Sequence, residues 1–250
     1  MIRPSARLAM AALAVLVMAP PAIAQKPSMP LPPPPVESQP DHPAYGDLLA
    51  AIQGSVDPET VITQTLKAAR QSFLANPDFV AAEAQSPGFV DELVNSMRPV
   101  MVAQDARVKA LYRPQFLALF AANLTPGEAA SIARFYRSDL GRKIMTRVVD
   151  NTSLDARVAS VGKEGTVSED ALGKDFTASS SAAVAQLTEA DLMALERLIT
   201  AEPALHKITG LQQPMIALRT RLENEPLSAQ ENADLEAAMS AVIARRLPSE

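Results

Sequence analysis

Apolar residues recur three and four positions apart over much of this chain, the spacing that places them on one face of an α-helix. The first such stripe comprises Val61, Ile62, Thr65, Leu66, Ala69 and Phe73. Asp57-Pro58 precedes it as a cap with a first-turn proline, and Asn76-Pro77 follows it, so a helix is predicted between them. A short helix to about Gln85 is expected next. A longer apolar face then covers residues 89–101, where Pro99 predicts a kink or a division.

Residues 124–148 carry the strongest helical pattern and predict a helical hairpin. Thr125 and Glu128 form a Thr-x-x-Glu capping box around Pro126, and Ser138 is placed to cap the second helix. The apolar stripes of the two helices are Ile132, Phe135 and Tyr136, and then Leu140, Ile144, Met145 and Val148. Gly141 lies one turn into the second helix, where alanine would be favoured by about 1 kcal/mol. It indicates either the close approach of another helix or a glycine tolerated near a helix start.

A partial repeat of this hairpin begins at Leu187-Thr188, 63 residues after Leu124-Thr125. At the same offset the matched residues are Glu128 with Asp191, Ile132 with Leu195, Arg134 with Arg197 and Phe135 with Leu198, and one insertion brings Lys143-Ile144 onto Lys207-Ile208. Two unrelated capped helices would give a similar pattern, so duplication and coincidence both stay open. A helix interrupted near Pro214 is expected next. Ser228 and Glu231 then predict a capped last helix that ends at Leu247-Pro248.

The composition favours helices throughout. Of the 250 residues, 48% are hydrophobic but only 4% are aromatic, and Trp is absent, which suits helix packing better than strands. We therefore predict an all-α protein, a helical bundle of about eight to ten helices in two related helical halves. The predicted organisation is a signal peptide over 1–24, a Pro-rich spacer over 25–46, a helical domain with the hairpin over 47–160, a linker or short helix over 161–186, and a diverged second helical hairpin region over 187–250.

The first residues have the pattern of an export signal. Arg3 and Arg7 precede an apolar run from Leu8 to Ala19, which is shorter than the ~20 residues that span a bilayer, and Ala22-Ile23-Ala24 fits a cleavage site. Eight prolines between residues 25 and 43 predict an extended spacer, which serves either as a tether or as a docking peptide. We expect a periplasmic or secreted protein, cleaved near Ala24, with no transmembrane segment in the mature chain.

The hairpin resembles a known bacterial family. Its central run reads Phe135-Tyr136-Arg137-Ser138-Asp139-Leu140-Gly141-Arg142-Lys143. This run is similar to the Phe-Tyr-x-Ser-Pro-x-Gly-x-Lys pattern of the family called domain of unknown function 2059, and the resemblance covers roughly Met97 to Asp155. Asp139 stands where the family usually has proline, and an acidic residue also suits a first helical turn. The resemblance implies an exported helical module without an assigned activity, and it implies no catalytic residues.

The residue types predict no catalytic, cofactor or metal site. The chain has no cysteine, which excludes disulfides and thiolate ligands. Its two histidines, His42 and His206, have no partner at the spacing of a catalytic triad or a metal motif. Glu189, Asp191 and Glu196 lie at a predicted helix start, where the helix dipole favours acids. Signal cleavage would remove two of the 23 basic residues and leave 21 against 28 acidic ones, a net charge of −7, which argues against nucleic-acid binding.

Two groups of residues are candidates for an interaction surface. The first is a basic series across the hairpin, formed by Arg134, Arg137, Arg142, Lys143 and Arg147. It fits anionic lipid headgroups or an acidic partner, but it fits a solvated charged face as well. The second is an apolar group formed by Val94, Met97, Val100 and Met101. It fits either a groove for a peptide or lipid tail or ordinary core packing.

The leading hypothesis is therefore a non-enzymatic helical module of the cell envelope that binds a partner protein, a peptide or a lipid, with self-association as one form of it. No cofactor is expected. The alternative is a hydrolase-type enzyme whose site is built from dispersed carboxylates and His206. A polar cleft with convergent carboxylates would favour the enzyme, whereas an exposed apolar surface would favour the binding module.

Overall fold

The structure, a computed structural model, describes residues 39–152 and 165–247. Within these ranges the chain forms helices and no strand, which confirms the all-α prediction. The helices are α1 (Pro43–Gln53), α2 (Pro58–Leu74), α3 (Pro77–Gln85), α4 (Phe89–Ser96), α5 (Arg98–Asn123), α6 (Pro126–Arg137), α7 (Asp139–Asp150), α8 (Glu169–Ala185), α9 (Glu189–Ala201), a 3-10 helix (Pro203–His206), α10 (Lys207–Glu223) and α11 (Ala229–Arg246). The predicted signal peptide and most of the predicted spacer lie outside the described residues.

Local signals in the sequence predict most of the helix ends. The Asp57 carboxylate caps α2 and the Asn76 side chain caps α3, each by accepting a hydrogen bond from a backbone amide two residues on. Met97 separates α4 from α5, and Pro99 lies in the first turn of α5, as the predicted division requires. The stretch for which the sequence indicates a linker or a short helix contains the 17-residue helix α8, capped by Ser168.

Among the described residues, two prolines lie inside helices. The prediction of an interruption near Pro214 is wrong, because α10 continues through it, and α5 likewise continues through Pro114. A proline leaves the carbonyl four residues earlier without its N–H partner. Those carbonyls belong to Ala110 and Gly210, and both residues are exposed, so water can bind them. Burial of the opposite faces of α5 and α10 outweighs the lost hydrogen bond.

α1 is a helix that the sequence analysis does not predict. It begins at Pro43, within the range assigned to the spacer, and His42 caps it by accepting a hydrogen bond from the Ala44 amide at 3.2 Å. Its buried side chains are Tyr45, Leu48, Leu49, Ala51 and Ile52, and they pack on α6. The Tyr45 hydroxyl also donates to the Leu124 carbonyl at 2.8 Å, next to the start of α6. α1 therefore covers one face of the hairpin.

Two large hydrophobic clusters form the core, and α5 contributes to both. The larger cluster joins buried side chains of α1, α5, α6, α7 and α10. The smaller cluster joins α2, α4, the start of α5 and the C-terminal helix α11. Since α10 packs on α5 and α11 packs on α4, the segments predicted as two halves share both clusters.

In the described part of the chain, no single helix has the length and hydropathy needed to cross a membrane. One pair of segments has the required length and hydropathy when the two are taken together, Phe89–Asn123 and Pro126–Arg137. This pair is bent by 116° where the two segments meet. Their buried apolar side chains belong to the two core clusters.

Candidate functional site

The turn between α6 and α7 contains the residues that carry the family resemblance. The Ser138 hydroxyl donates a hydrogen bond to the Phe135 carbonyl at 2.7 Å and accepts one from the Gly141 amide at 3.0 Å. One side chain thus satisfies a carbonyl at the end of α6 and an amide at the start of α7. Tyr136, at the end of α6, is 2% exposed, and burial raises the pKa of its hydroxyl. In this turn the side chains of Ser138 and Tyr136 therefore make contacts that stabilise the fold.

Gly141 is required by the close approach of α7 to the end of α6. A Cβ atom at this position would lie 2.0 Å from the Phe135 carbonyl oxygen and 3.1 Å from the Tyr136 Cα. Contacts below 3.0 Å force the neighbouring atoms to move, and here the neighbour is backbone. The glycine therefore marks a close approach, and the partner is the preceding helix of the same hairpin.

Three of the described helices have a capping box whose carboxylate also binds a basic side chain from a distant part of the chain. The boxes begin α6, α9 and α11. The ion pairs are Glu128 with Lys207 (2.8 Å), Asp191 with Lys143 (2.6 Å) and Glu231 with Arg107 (2.9 Å). Each carboxylate thus satisfies a helix N-terminus and links it to another helix.

These contacts lower the pKa of all three carboxyl groups. Hydrogen bonds from its lysine partner and from the capping threonine lower the pKa of Asp191 to about 2. The hydrogen bond from its arginine partner lowers the pKa of Glu231. Burial raises the pKa of Glu128, but the hydrogen bonds from its lysine and from the capping residue outweigh burial, so the pKa is lowered. All three groups are ionised at neutral pH.

Two of the ion pairs are reciprocal under the offset of 63 or 64 residues found in the sequence. Glu128 and Lys143 lie in the first hairpin, and their counterparts in the second are Asp191 and Lys207. The acid of each hairpin binds the lysine of the other. A two-fold relation between the hairpins would produce this exchange, since a symmetric contact repeats each pairing with the roles reversed. The duplication itself stays a prediction.

All five members of the predicted basic series bind acceptors within the chain. Three of them form ion pairs, namely Arg134 with Glu202 (3.2 Å), Arg142 with Asp139 (2.5 Å) and Lys143 with Asp191. The bonds to backbone carbonyls run from Arg137 to Asp47 (3.1 Å), from Arg142 to Arg137 and from Arg147 to Gln186. These acceptors lie on or beside α1, α6, α7, α8 and α9. The series therefore helps to hold the hairpin in place, and its use as a binding surface stays a prediction.

The four residues of the predicted apolar group come together in the smaller core cluster. Val94, Met97, Val100 and Met101 are 3%, 1%, 6% and 2% exposed. The cluster also contains Leu235, Met239 and Val242 of α11, the helix that packs on α4 and α5. A peptide or lipid tail would reach these side chains only if α11 moved away. In this structure they are core.

The two histidines considered for an enzyme site lie at the ends of different helices. His206 is the exposed last residue of the 3-10 helix, and within the described ranges no hydrogen bond or ion pair joins it to a carboxylate. His42 caps α1. A search of the same ranges finds no group of three or more side chains suited to hold a metal ion.

A polar cleft of about 580 Å³ lies between α8 and α10. Its charged lining is Glu169, Asp170 and Lys174, and Asp170 pairs with Lys174 at 2.7 Å. The two acids lie in the first turn of α8, where the helix dipole stabilises them. Neither His206 nor the acids at the start of α9 line this cleft.

α9 exposes an apolar side chain, Leu192, at a position that α6 buries. Ala129 and Ala133 are 0% and 1% exposed on α6, the helix that α1 covers. At the offset of 63 residues their counterparts are Leu192, which is 41% exposed, and Glu196, which is exposed as well. Met193 is 50% exposed. We call the surface formed by Glu189, Leu192, Met193 and Glu196 the α9 face.

The sequence pattern indicates the two acids of the α9 face, Glu189 and Glu196, but not its apolar pair. The signal lay in the partial repeat, where leucine and glutamate stand at the positions matched to two alanines of the first hairpin. Ala133 is buried in α6, whereas Glu196 at the matched position of α9 is exposed, which indicates that α9 has a different neighbour at this position.

The hairpin and the end of α5 are the part of the chain that comparison with known proteins identifies. Residues 113–148 match the DUF2059 family. The family is described as an uncharacterized protein conserved in bacteria, and the match confirms the resemblance over a narrower range than residues 97–155. No curated protein and no solved structure matches the chain. The DUF2059 segment thus contains the α6–α7 turn and one member of each reciprocal ion pair, but not the α9 face.

Proposed function

We propose that this protein is an exported, non-enzymatic module of the cell envelope that binds a partner protein through the α9 face. One observation carries the proposal, namely that Leu192 and Met193 are 41% and 50% exposed on a helix whose counterpart is covered by α1. Exposed apolar side chains cost free energy in water, and adjacent ones are typical of surfaces that a partner covers.

The contacts of the DUF2059 segment support a structural role for its landmark residues. Ser138 caps α7, Gly141 permits the close approach of two helices, and Lys143 binds Asp191. These side chains are engaged in holding the hairpin together and in docking it to α9. A module of this kind would bind a partner through its surface and would not itself catalyse a reaction.

The expected location supports the same proposal. The pattern of the first 24 residues is that of an export signal, and the proline run after it suits a tether that separates the helical part from its surroundings. We propose a periplasmic or secreted protein whose partner is another envelope protein.

Site-specific photo-crosslinking in the producing bacterium tests the proposal. A benzoylphenylalanine residue at position 193 should give a discrete protein adduct in the periplasmic fraction, and the added Leu192→Asp substitution should abolish it. Ala130, the exposed counterpart of Met193 on α6, provides the matched control position. Equal adducts at both positions, adducts with lipid alone, or none at position 193 would refute binding through this face.

A further inference from the structure

We infer that the partner segment on the α9 face is a basic amphipathic helix, with two Lys or Arg residues seven positions apart beside its apolar stripe. This inference rests on the proposed function and specifies its ligand. It follows from the charge and spacing of the α9 face and from the way α1 covers the equivalent helix.

The first step is the comparison with α1. That helix is eleven residues long, has a compact apolar face, and packs along α6. If the two hairpins are related as their reciprocal ion pairs indicate, the matching position beside α9 would hold a helix of similar length. No helix of the described ranges packs there as α1 packs on α6, since the neighbour with the most contacts to α9 is the 3-10 helix.

The second step is the charge of the α9 face. Glu189 and Glu196 are seven residues apart, so they lie on one side of the helix with about 10.5 Å of axial separation. Leu192 and Met193 lie between them along the chain. Both glutamates are exposed, and no ion pair with another described residue holds either of them. By contrast, Asp191 is already bound to Lys143.

The third step is the choice between possible occupants. A second copy of the chain would bring its own Glu189 and Glu196 toward the same edge, and like charges there repel. An anionic membrane surface would be repelled for the same reason. A partner helix with cations two turns apart satisfies both glutamates while its apolar stripe covers Leu192 and Met193.

Binding of a synthetic peptide to the mature full-length chain tests the inference. The probe is a fluorescein-labelled 15-residue helical peptide with a leucine stripe and lysines at two positions seven apart. A control peptide has glutamates at those two positions. Fluorescence anisotropy should show at least tenfold tighter binding of the lysine peptide, and added salt should reduce the difference.

Charge reversal on the protein provides the matched test. Glu189→Lys with Glu196→Lys should invert the preference, so that the glutamate peptide binds more tightly. Asp150→Lys with Glu236→Lys makes the same change of net charge at exposed positions on other helices and should leave the preference intact. Met193→Asp should weaken both peptides at least fivefold, whereas Ala130→Asp should have no effect. Circular dichroism of each variant confirms that it folds.

Three outcomes would overturn the inference: equal affinity for the two peptides, no binding of either peptide, or self-association through position 193 in sedimentation experiments. Tight binding to vesicles of anionic lipid that Glu189→Lys does not alter would also contradict it. The photo-crosslinking result separates the two proposals. A protein adduct at position 193 together with failure of the lysine peptide would refute the basic helix but retain binding through the α9 face.

Discussion

At Gly141 the size of one side chain decides whether the α6–α7 turn can form. Gly141→Ala would place a methyl group 2.0 Å from the Phe135 carbonyl oxygen, so helix and turn must shift. We expect a loss of roughly 2 to 3 kcal/mol in the free energy of unfolding, which is the usual cost of overpacking. Urea unfolding followed by circular dichroism measures it.

Gly127→Ala is the matched control in the same hairpin. A Cβ atom there meets nothing within 4 Å, and alanine is the better helix former. This variant should be as stable as the natural chain or slightly more stable. A loss of stability at both positions would show that the hairpin tolerates no added methyl group and that the contact with Phe135 is not the cause.

Because of Asp191, part of the free energy of unfolding is lost at acid pH. Its pKa is about 2 in the folded chain, against about 3.9 for an ordinary Asp. A lowered pKa means that the contribution is present above pH 4 and is lost as the pH falls toward 2. Asp191→Asn should therefore flatten the decline of unfolding free energy between pH 4 and pH 2.

The measurement is a series of urea titrations across that pH range. Asp150→Asn, at the exposed end of α7, serves as the control for the loss of one acidic group. If Asp191→Asn leaves the slope unchanged, then the ion pair with Lys143 does not persist in solution.

The capping boxes could be predicted from the sequence because the residues that form them are three positions apart. Thr125 with Glu128 and Ser228 with Glu231 both form as expected. The lysines and the arginine that bind the carboxylates of Glu128, Asp191 and Glu231 could not be predicted in the same way. They lie 48 to 124 residues away, and only the fold brings them within reach.

At the level of single elements, Arg107 connects the middle of α5 to the start of α11. Its guanidinium binds both carboxylate oxygens of Glu231 at 2.9 Å and the Pro226 carbonyl at 2.8 Å. Arg107→Ala should cost about 1 to 3 kcal/mol of unfolding free energy, because it leaves a largely buried carboxylate without its cation.

Arg107→Lys separates geometry from charge. A lysine retains the positive charge but cannot bind two carboxylate oxygens and a carbonyl with a planar fork. We expect it to recover less than half of the loss caused by alanine, as measured in the same urea titrations. Full recovery would show that charge alone accounts for the contribution of this residue.

Whole elements were predicted well where their ends carry local signals, and poorly where packing decides. The apolar pattern of α2, which lies between two proline-containing caps, predicts that helix correctly. In contrast, α10 continues through Pro214 because its buried face packs in the core. α1 went unpredicted because the prolines before it dominate the local composition, although His42-Pro43 is a valid start. The α9 face could not be predicted, because exposure depends on which helix covers it.

For the whole molecule, the reciprocal ion pairs predict which charge reversals compensate for each other. Glu128→Lys should lower the unfolding free energy by roughly 1 to 2 kcal/mol, because it breaks a partly exposed ion pair and removes the capping-box carboxylate of α6. The added Lys207→Glu should restore the part of this loss that comes from the ion pair, since the pair then forms with opposite polarity. The capping-box hydrogen bond from the Thr125 amide to Glu128 stays lost in both variants.

A reversal within one hairpin is the control for this exchange. Glu128→Lys combined with Lys143→Glu preserves the net charge but places like charges at both contacts between the hairpins. This double variant should be less stable than either single variant. Equal stability of the two double variants would show that only net charge matters and that the pairings contribute nothing.

The contact between α11 and α4 also affects the order in which the chain can fold. Glu92 binds Arg246 across 154 positions of sequence, and Leu93 and Met97 share the smaller cluster with Leu235, Met239 and Val242 of α11. Contacts between distant parts of a chain form late. The smaller cluster thus stays incomplete until α11 is available to pack on α4. If the chain is exported unfolded through a narrow channel, as we propose, this cluster would close only after α11 had crossed.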